Sequence, residues 1–442
     1  MVFYGGQEEL DSLVWDRNDE DSEAAQNQLR LKTFYRQVEE FVQHQFGKLA
    51  TLISPLIFGG FDVLYRVQVE EMSPHIMVRL PCPSPVQFPV AGSAPFALRP
   101  RGPFIIMERR ENSGSISARL ARPNKDLSVP HVLDPNVSES LLHAIWQRVA
   151  HCLLAMSRLA FPRIGSLLQT HAHIYEVAGR PLSHNMTDMH NDLVTSEDNC
   201  RNKYVSRQIF RRLARHGKLS SFGFAEDAWS SQPSRILPET LSPCPLNSGP
   251  FRLWGDDFRA GNVLLDDSDE IAALIDWKYT YAGPAQFILD PPWWLLLETA
   301  EMWSPDLNDW KKTYESRLGI WLSPMEKAEA SMGKSAYNTF PVPLSRYMRE
   351  IWQTGRFFLS CAARRSWAFH SMYWNFLDER FFGDRDPGVV KGDLWTIDLL
   401  SDDERAAMEP FIQRKMAESK ERRIVEWDET EAQKRFSELL FN

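Results

Sequence analysis

Cysteine is scarce in this sequence, and the few cysteines lie far apart. There are five among 442 residues, and none forms a C-x-x-C pair; they are Cys82, Cys152, Cys200, Cys244 and Cys361. An odd number of widely spaced thiols predicts neither a disulfide framework nor a thiolate zinc site. We therefore expect a cytoplasmic protein.

Long apolar runs and a basic excess are also lacking. No stretch approaches 18 uncharged apolar residues, and residues 1–23 lack a basic segment followed by an apolar one. These absences predict neither a membrane span nor a signal peptide. The formal net charge is −9, whereas nucleic-acid binding needs a concentrated basic surface. We therefore expect no nucleic-acid partner and no membrane partner.

What is present indicates a large core and several structural units. The chain is 43% apolar, and at roughly 150 residues per domain its length predicts two or three units. The patterns divide it into an N-terminal helical extension (1–50), a β-rich segment (51–110), a mainly helical segment with a hairpin (111–400) and a charged C-terminal helix (401–442).

Three local patterns make specific structural predictions. Asp134 followed by Pro135 is typical of a helix start, with an N-cap and a proline in the first turn. Residues 344–380 carry one long amphipathic pattern. The runs LLDD and IAALID, separated by an acidic turn, predict a β-hairpin within residues 264–276.

The chemically informative stretch is GDDFRAGNVLLDDSDEIAALIDW, residues 255–277. It places Asp257 five residues before Asn262, then a hairpin, then Asp276 at the end of the second strand. Phosphoryl transfer needs this set: one carboxylate to orient or deprotonate the attacking hydroxyl, with an amide and a second carboxylate to hold Mg²⁺. The Asp257 to Asn262 spacing also matches the D-x-x-x-x-N of a kinase catalytic loop.

This block resembles the aminoglycoside phosphotransferase and choline-kinase-like family, whose usual form is H-G-D-x-H-x-x-N followed by I-D-W or I-D-F. Aligned on Asp257 and Asn262, the usual first histidine is Gly255, the usual glycine is Asp256 and the second histidine is Arg259. The variant, with the PPWWLLLE that follows it, is similar to a fungal group of phosphotransferase-domain proteins.

The resemblance implies an α+β, two-lobed, protein-kinase-like fold with a small β-rich N-lobe and a larger, mainly helical C-lobe. It implies transfer of the γ-phosphoryl group of ATP to a hydroxyl of a small molecule, with ATP and Mg²⁺ as cofactors. In that mechanism Asp257 orients the acceptor hydroxyl, and Asn262 and Asp276 hold Mg²⁺. The acceptor stays open among aminoglycosides, choline, amino sugars and fungal metabolites.

The resemblance also assigns nucleotide contacts in the N-lobe. Gly59 and Gly60 stand at the turn that covers the nucleotide in the family, although an ordinary hairpin turn also has two glycines. Arg79 stands where the family has a lysine for the α- and β-phosphates, and this exchange is not conservative. The backbone at Met107, Glu108 and Arg109 is aligned with the segment that meets adenine.

One family feature has no counterpart in the sequence. The phosphate-binding lysine is normally held by a glutamate on the following helix, but no Asp or Glu occurs between Glu71 and Glu108, and residues 81–103 contain seven prolines. Proline does not continue a helix interior. Either the protein has lost the ion pair, or the sequence is a gene model from which an exon was dropped.

Two other function classes are open alternatives. A catalytically impaired, pseudokinase-like binding protein is suggested by Arg79 and the missing helix, and a metal-dependent hydrolase by the clustered aspartates, although no further ligand set accompanies them. The neighbour Asp256 either tunes Asp257 or faces solvent. We expect Trp254 to pack under the catalytic loop.

Overall fold

The computed structural model describes fifteen stretches of the chain. These are residues 27, 29–58, 62–81, 97–98, 102–124, 131–171, 174–181, 183, 196–216, 219, 241–242, 248–333, 340–364, 369–382 and 400–421. They form two compact units, one up to Ser113 and the other from Gly114 onward. The first is β-rich and the second mainly helical, which confirms the predicted two-lobed α+β architecture.

The β-rich unit consists of one helix and a four-stranded antiparallel sheet. The elements are α1 (Lys32–Phe46), β1 (Ala50–Phe58), β2 (Asp62–Val69), β3 (Ile76–Pro81), β4 (Ala97–Leu98), β5 (Gly102–Pro103) and β6 (Ile105–Glu108). The sheet order is β1-β2-β3-β6, and β4 pairs separately with β5.

Alternation along β2 explains how this unit acquires a core. Every second side chain of the strand is buried, from Val63 to Val69, because successive side chains of a strand point to opposite faces. Val38 and Val42, on the apolar stripe of α1, are buried in the same cluster. The helix ends at Gly47, whose φ of 65° suits glycine and whose amide donates to Gln43.

The helical unit contains eight strands and ten α-helices among the residues that the structure describes. The strands are β7 (Gly114–Ser115), β8 (Ala160–Phe161), β9 (Gly165–His171), β10 (Ile174–Ala178), β11 (Phe251–Gly255), β12 (Val263–Leu265), β13 (Ile271–Leu274) and β14 (Thr280–Pro284). The helices are α2 (Ile116–Leu120), α3 (Glu139–Ser157), α4 (Glu197–Arg215), α5 (Ala285–Leu289), α6 (Leu307–Met332), α7 (Leu344–Thr354), α8 (Arg356–Arg364), α9 (Phe369–Met372), α10 (Asp378–Phe382) and α11 (Asp402–Lys420). A π-helical turn (Tyr373–Leu377) joins α9 to α10.

Two small sheets position the candidate site. In the five-stranded sheet, ordered β10-β9-β14-β11-β8, strand β11 lies between β14 and β8. In the three-stranded sheet, ordered β13-β12-β7, strands β12 and β13 form the predicted hairpin, with Val263 opposite Leu274. The hairpin prediction is therefore confirmed.

The predicted helix start at Asp134 was wrong by four residues. Helix α3 begins at Glu139, and the side chain of Ser138 caps it by accepting from the amide of Leu141. Asp134 instead accepts from the amide of Asn136 in a preceding turn. Both residue types cap helices. Ser138 lies four residues before Leu142, the first buried residue of α3, whereas Asp134 lies eight residues before it.

The long amphipathic pattern of residues 344–380 is not one helix. Helix α7 ends at Gly355, which has a φ of 78°, and α8 begins at the next residue. A left-handed glycine after a helix is a common stop signal. The apolar periodicity continues through the break because both helices pack on the same core.

Tryptophans fill much of that core. Trp146 on α3 lies 5.5 Å from Trp294 and 6.0 Å from Trp321 between ring centroids. All three are buried, as expected for large apolar rings. Of the helices in the described residues, none combines the length and apolarity that crossing a membrane requires.

Candidate active site

Strand β11 ends at the candidate catalytic loop. Its last residue is Gly255, and a tight turn follows in which the amide of Phe258 donates to the carbonyl oxygen of Gly255 at 3.0 Å. A Cβ atom at Gly255 would lie 3.1 Å from the Cβ of Phe258, closer than side chains normally pack. Glycine at this position therefore permits the turn that projects Asp256 and Asp257 beyond the sheet.

The carboxylate of Asp257 is held at both oxygens. The amide nitrogen of Asn262 lies 3.2 Å from Oδ2 and 2.8 Å from the carbonyl oxygen of Asp257, while Nε of Arg259 lies 3.1 Å from Oδ1. The Asp257 side chain is 14% exposed, so it is sheltered but reachable. Two donors on one carboxylate fix its orientation, which is what a residue that positions a hydroxyl requires.

The loop between these residues is one turn of 3₁₀-helix. It spans Ala260–Asn262, and the amide of Asn262 donates to the carbonyl oxygen of Arg259 at 2.9 Å. Asn262 is buried and stands directly before β12. The five-residue spacing therefore returns the chain far enough for the asparagine to meet the aspartate.

Asp276 stands at the other end of the β12–β13 hairpin. The amide of Ile275 donates to the carbonyl oxygen of Asn262 at 2.9 Å and extends the ladder by one residue, so Asp276 follows immediately. Its φ of 62° and ψ of 54° are left-handed. Non-glycine residues adopt this conformation infrequently, Asp being one of the tolerant types, and it is concentrated at functional sites.

A ring contact closes the same end of the hairpin. Phe258, which follows Asp257, stacks on Trp277, which follows Asp276, with centroids 6.3 Å apart and planes inclined by 27°. Together with the Ile275–Asn262 hydrogen bond, this contact brings Asp257, Asn262 and Asp276 to one place. The structure thus groups the three residues that the sequence singled out, while their catalytic roles stay predictions.

The oxygen atoms of this group suit a hard cation. Among the described residues there is no cluster of three or more His, Cys, Asp or Glu side chains that could hold a metal on its own. Mg²⁺, however, typically binds one or two protein carboxylates and completes its shell with phosphate oxygens and water. The carboxylate of Asp276 and the amide oxygen of Asn262, which the Asp257 contact does not use, fit that requirement.

In the β-rich unit, Arg79 has a partner that the sequence did not suggest. On β3, it forms an ion pair with Asp62 at the start of β2, with the two side chains 19% and 16% exposed. Arg79 lies opposite Leu64 in the register, so Asp62 is its diagonal neighbour. Long side chains reach such diagonal positions. Gly59 and Gly60, predicted to cover the nucleotide, lie outside the described residues.

The predicted adenine segment forms an edge strand of the described sheet. Met107 and Glu108 lie on β6, opposite Met77 and Ile76 of β3. The amide of Arg109 donates to the carbonyl oxygen of His75 at 2.8 Å. That amide is therefore used within the sheet, whereas the outer side of β6 has no strand partner among the described residues.

Sequence reasoning missed two partners at these sites. Asp62 lies before Glu71, whereas the resemblance to the family places a carboxylate partner on a helix after Arg79; the register of β2 and β3 instead puts Asp62 beside Arg79. The same resemblance treats Arg259 only as the replacement of a histidine. Its position two residues after Asp257 was the available signal for its contact with that carboxylate.

Comparisons with known proteins give a family match and weak structural likenesses. Residues 119–304 match the family model described as "Phosphotransferase enzyme family". A search of the curated proteins finds no match.

Among solved structures, a "Macrolide 2'-phosphotransferase type I" is 14% identical and has a TM-score of 0.33; the match covers 86% of this chain and 97% of that one. A thermostable mutant of the aminoglycoside phosphotransferase APH(4)-Ia, in ternary complex with AMP-PNP and hygromycin B, is 15% identical and also has a TM-score of 0.33; the match covers 76% of this chain and 98% of that one. The family match runs from the end of α2 through α5 and includes the candidate catalytic loop, the hairpin and the whole group around Asp257.

Proposed function

We propose that this chain, whose residues 119–304 match the model of the phosphotransferase enzyme family, transfers the γ-phosphoryl group of ATP to a hydroxyl group of a small molecule. The observation that carries the proposal is the convergence of Asp257, Asn262 and Asp276 at one end of the β12–β13 hairpin. Phosphoryl transfer depends mainly on positioning and charge stabilisation, and this arrangement offers groups for both.

In the proposed reaction, Asp257 acts on the acceptor. The hydroxyl oxygen of the acceptor attacks the γ-phosphorus, the bond from that phosphorus to the bridging oxygen of ADP breaks, and the hydroxyl proton passes to a carboxylate oxygen of Asp257. Asn262 and Arg259 each donate a hydrogen bond to Asp257 and hold its carboxylate in one orientation. ADP leaves with the negative charge of the broken bond.

Asn262 and Asp276 are the proposed metal-binding pair. Mg²⁺ bound there would neutralise charge on the β- and γ-phosphates of the nucleotide. The amide nitrogen of Asn262 is engaged by Asp257, which directs the opposite, oxygen side of the amide away from that carboxylate. The left-handed backbone of Asp276 sets the direction of the other ligand.

In the β-rich unit, we propose that Arg79 contacts the nucleotide phosphates and that the backbone of Met107 and Glu108 meets the adenine. The acceptor is proposed to be a small molecule rather than a protein, because no A-P-E-type activation segment follows Asp276. A cytoplasmic location, where ATP and Mg²⁺ are abundant, belongs to the same proposal.

The experiment that tests the function compares purified wild-type protein with an Asp276→Asn variant. ATP binding is measured by calorimetry and thermal shift with and without Mg²⁺, and γ-phosphate release is followed in the same samples. We expect Mg²⁺-dependent ATP binding by the wild type, weakened at least tenfold in the variant, since an amide is a poorer Mg²⁺ ligand than a carboxylate.

An Asp267→Asn variant is the matched control, because Asp267 is an exposed carboxylate in the turn of the same hairpin. It should bind ATP·Mg²⁺ as the wild type does. Well-folded wild-type protein that binds no ATP would overturn the proposal. Binding without any phosphate release or transfer, across a panel of hydroxyl acceptors, would instead favour the pseudokinase-like alternative.

A further inference from the structure

A buried arginine lies behind the candidate catalytic loop. Arg364, the last residue of α8, has a side chain only 9% exposed, and its Nη2 lies 3.2 Å from Oδ2 of Asp290. Asp290 directly follows α5 and is 3% exposed. The hydroxyl of Ser360 donates to its other oxygen at 3.2 Å. The arginine is thus anchored at one end by a carboxylate that is itself held.

The guanidinium of Arg364 lies on two aromatic rings. Its central carbon is 4.6 Å from the ring centroid of Trp254 and 5.1 Å from that of Phe287. The two rings also contact each other, with centroids 5.6 Å apart and planes inclined by 61°. A planar guanidinium over an aromatic face is favourable, more so away from water, and arginine suits such stacking better than lysine.

Trp254 connects Arg364 to the candidate catalytic loop through a hydrogen bond. It is the next-to-last residue of β11, and its indole nitrogen donates to Oδ1 of Asp256 at 3.0 Å. The amide of Asp256 donates to the carbonyl oxygen of Tyr279 at 3.0 Å. Asp256 is therefore held by side chain and backbone, and Asp257 is the next residue along the chain.

We propose that Arg364 is a positioning residue for the phosphotransferase reaction, acting through Trp254 and Asp256 on the orientation of Asp257. The inference rests on the proposed function and adds to it a support for the catalytic loop that comes from the far end of α8. It also assigns Asp256 a role: it holds the loop in place and is not a second catalytic acid.

The electrostatics of the pocket agree with this arrangement. Burial by itself lowers the pKa of Arg364, but attraction to Asp290, with further contributions from Cys361, Asp256 and Tyr281, outweighs it and leaves that pKa raised. Burial raises the pKa of Tyr281, Asp256 raises it further, and Arg364 opposes the rise. Arg364 and Asp256 thus act on each other and on the same tyrosine, as groups in one network do.

Packing alone would not require this chemistry. Trp254 and Phe287 would also be covered by an apolar residue, but an apolar residue would leave the buried carboxyl group of Asp290 without its arginine partner, and a buried polar group that loses a hydrogen-bond partner is costly. The arginine meets both requirements, because its flat face covers the rings while its edge pairs with the carboxylate.

The test is a double-mutant cycle with Arg364→Lys and Trp254→Phe. The lysine keeps the positive charge and loses the flat stacking face; the phenylalanine keeps the ring and loses the hydrogen bond to Asp256. With ATP and an active acceptor, we expect each variant to lower kcat about tenfold, because small misplacements of reacting groups are costly, while KM for ATP stays within about twofold. The double variant should lose little more than either single one, since both changes break one path.

Arg349→Gln is the matched control, because Arg349 forms an exposed ion pair with Glu326 on the same helical unit; it should keep the wild-type kcat. A second readout is independent of turnover. The indole N–H resonance of Trp254, assigned in ¹⁵N-tryptophan-labelled protein by its loss in Trp254→Phe, should shift in Arg364→Lys.

Unchanged kcat in well-folded Arg364→Lys, or fully additive losses in the double variant, would overturn the proposal. If the wild type transfers no phosphoryl group, the proposed function fails and the resonance decides separately whether Arg364 is coupled to Trp254. An unshifted Trp254 resonance would then overturn the coupling as well.

Discussion

The two units of this protein hold their candidate site residues in different ways. In the helical unit, Asp257 and Asn262 are five residues apart and meet directly, and Asp276 joins them through one hairpin. In the β-rich unit, Arg79 meets Asp62, which is 17 residues away on the neighbouring strand. The first arrangement is encoded by a short motif, and the second only by strand register.

This difference shows which features of a site can change without loss of the fold. A motif within one loop and hairpin keeps its geometry only if residue types and spacing are kept together. Arg79 on β3, by contrast, pairs with a carboxylate of the neighbouring strand β2, so its contact depends on how the two strands are paired.

The largest expected effect concerns Asp257, in the short motif of the helical unit. Asp257→Asn keeps the size of the side chain but removes the proposed proton acceptor. We expect kcat to fall by about 10²- to 10⁴-fold, or about 3 to 5 kcal/mol in activation free energy, while ATP binding is kept. Steady-state kinetics and calorimetry on the same preparations measure both, and a variant with wild-type kcat would show that Asp257 is not the catalytic residue.

The parts that sequence reasoning predicted are those in which neighbouring residues determine the outcome. The β-rich character of residues 51–110 and the hairpin within residues 264–276 are set by residues close together in the chain, and the structure confirms both. The stop at Gly355 was missed because the periodicity of a shared core runs on through it.

Contacts between distant parts of the chain were not predictable in the same way. The stack of Arg364 on Trp254 joins a helix end to a strand far earlier in the sequence, and the Asp62–Arg79 pair depends on the register of two strands. No local pattern specifies either contact, since both arise only when separate elements pack. The spacing of Asp257, Asn262 and Asp276 could be recognised in the sequence, whereas the residues that support the loop could not.

A second prediction concerns the buried pair that anchors Arg364. Burial raises the pKa of Asp290 from its ordinary 3.8 to about 7, against the opposing effects of Arg364, Ser360 and Arg356. A carboxyl whose pKa is higher in the folded than in the unfolded protein binds its proton more tightly when folded. Its contribution to stability is therefore greatest at low pH and is lost as the pH rises toward 7.

Between about pH 5 and 6.5 this group alone should lower the free energy of unfolding by about 1.4 kcal/mol for each pH unit. Asp290→Asn should remove that slope, and urea denaturation of both proteins across this range measures the difference. Tyr314 also lies within electrostatic reach of Asp290, but burial raises its pKa still further above this range. If the two proteins show the same dependence of stability on pH, the raised pKa of Asp290 is contradicted. The two ion pairs, Asp290–Arg364 and Asp62–Arg79, would then differ less in their electrostatics than their burial suggests.

The smallest expected effect concerns the Asp62–Arg79 pair, which depends on the register of β2 and β3. Asp62→Asn keeps the shape of the side chain but removes the charge that pairs with Arg79. If Asp62 positions Arg79 for the phosphates, KM for ATP should rise about tenfold, or about 1.4 kcal/mol, with a smaller change in kcat. Glu71→Gln, which breaks the exposed Lys48–Glu71 pair of the same unit, should change neither. Tighter ATP binding by Asp62→Asn would mean the reverse, that Asp62 competes with the phosphates for Arg79. The two units would then differ in kind, because the candidate residues of the helical unit are already arranged, whereas Arg79 would have to leave Asp62 before it could bind phosphate.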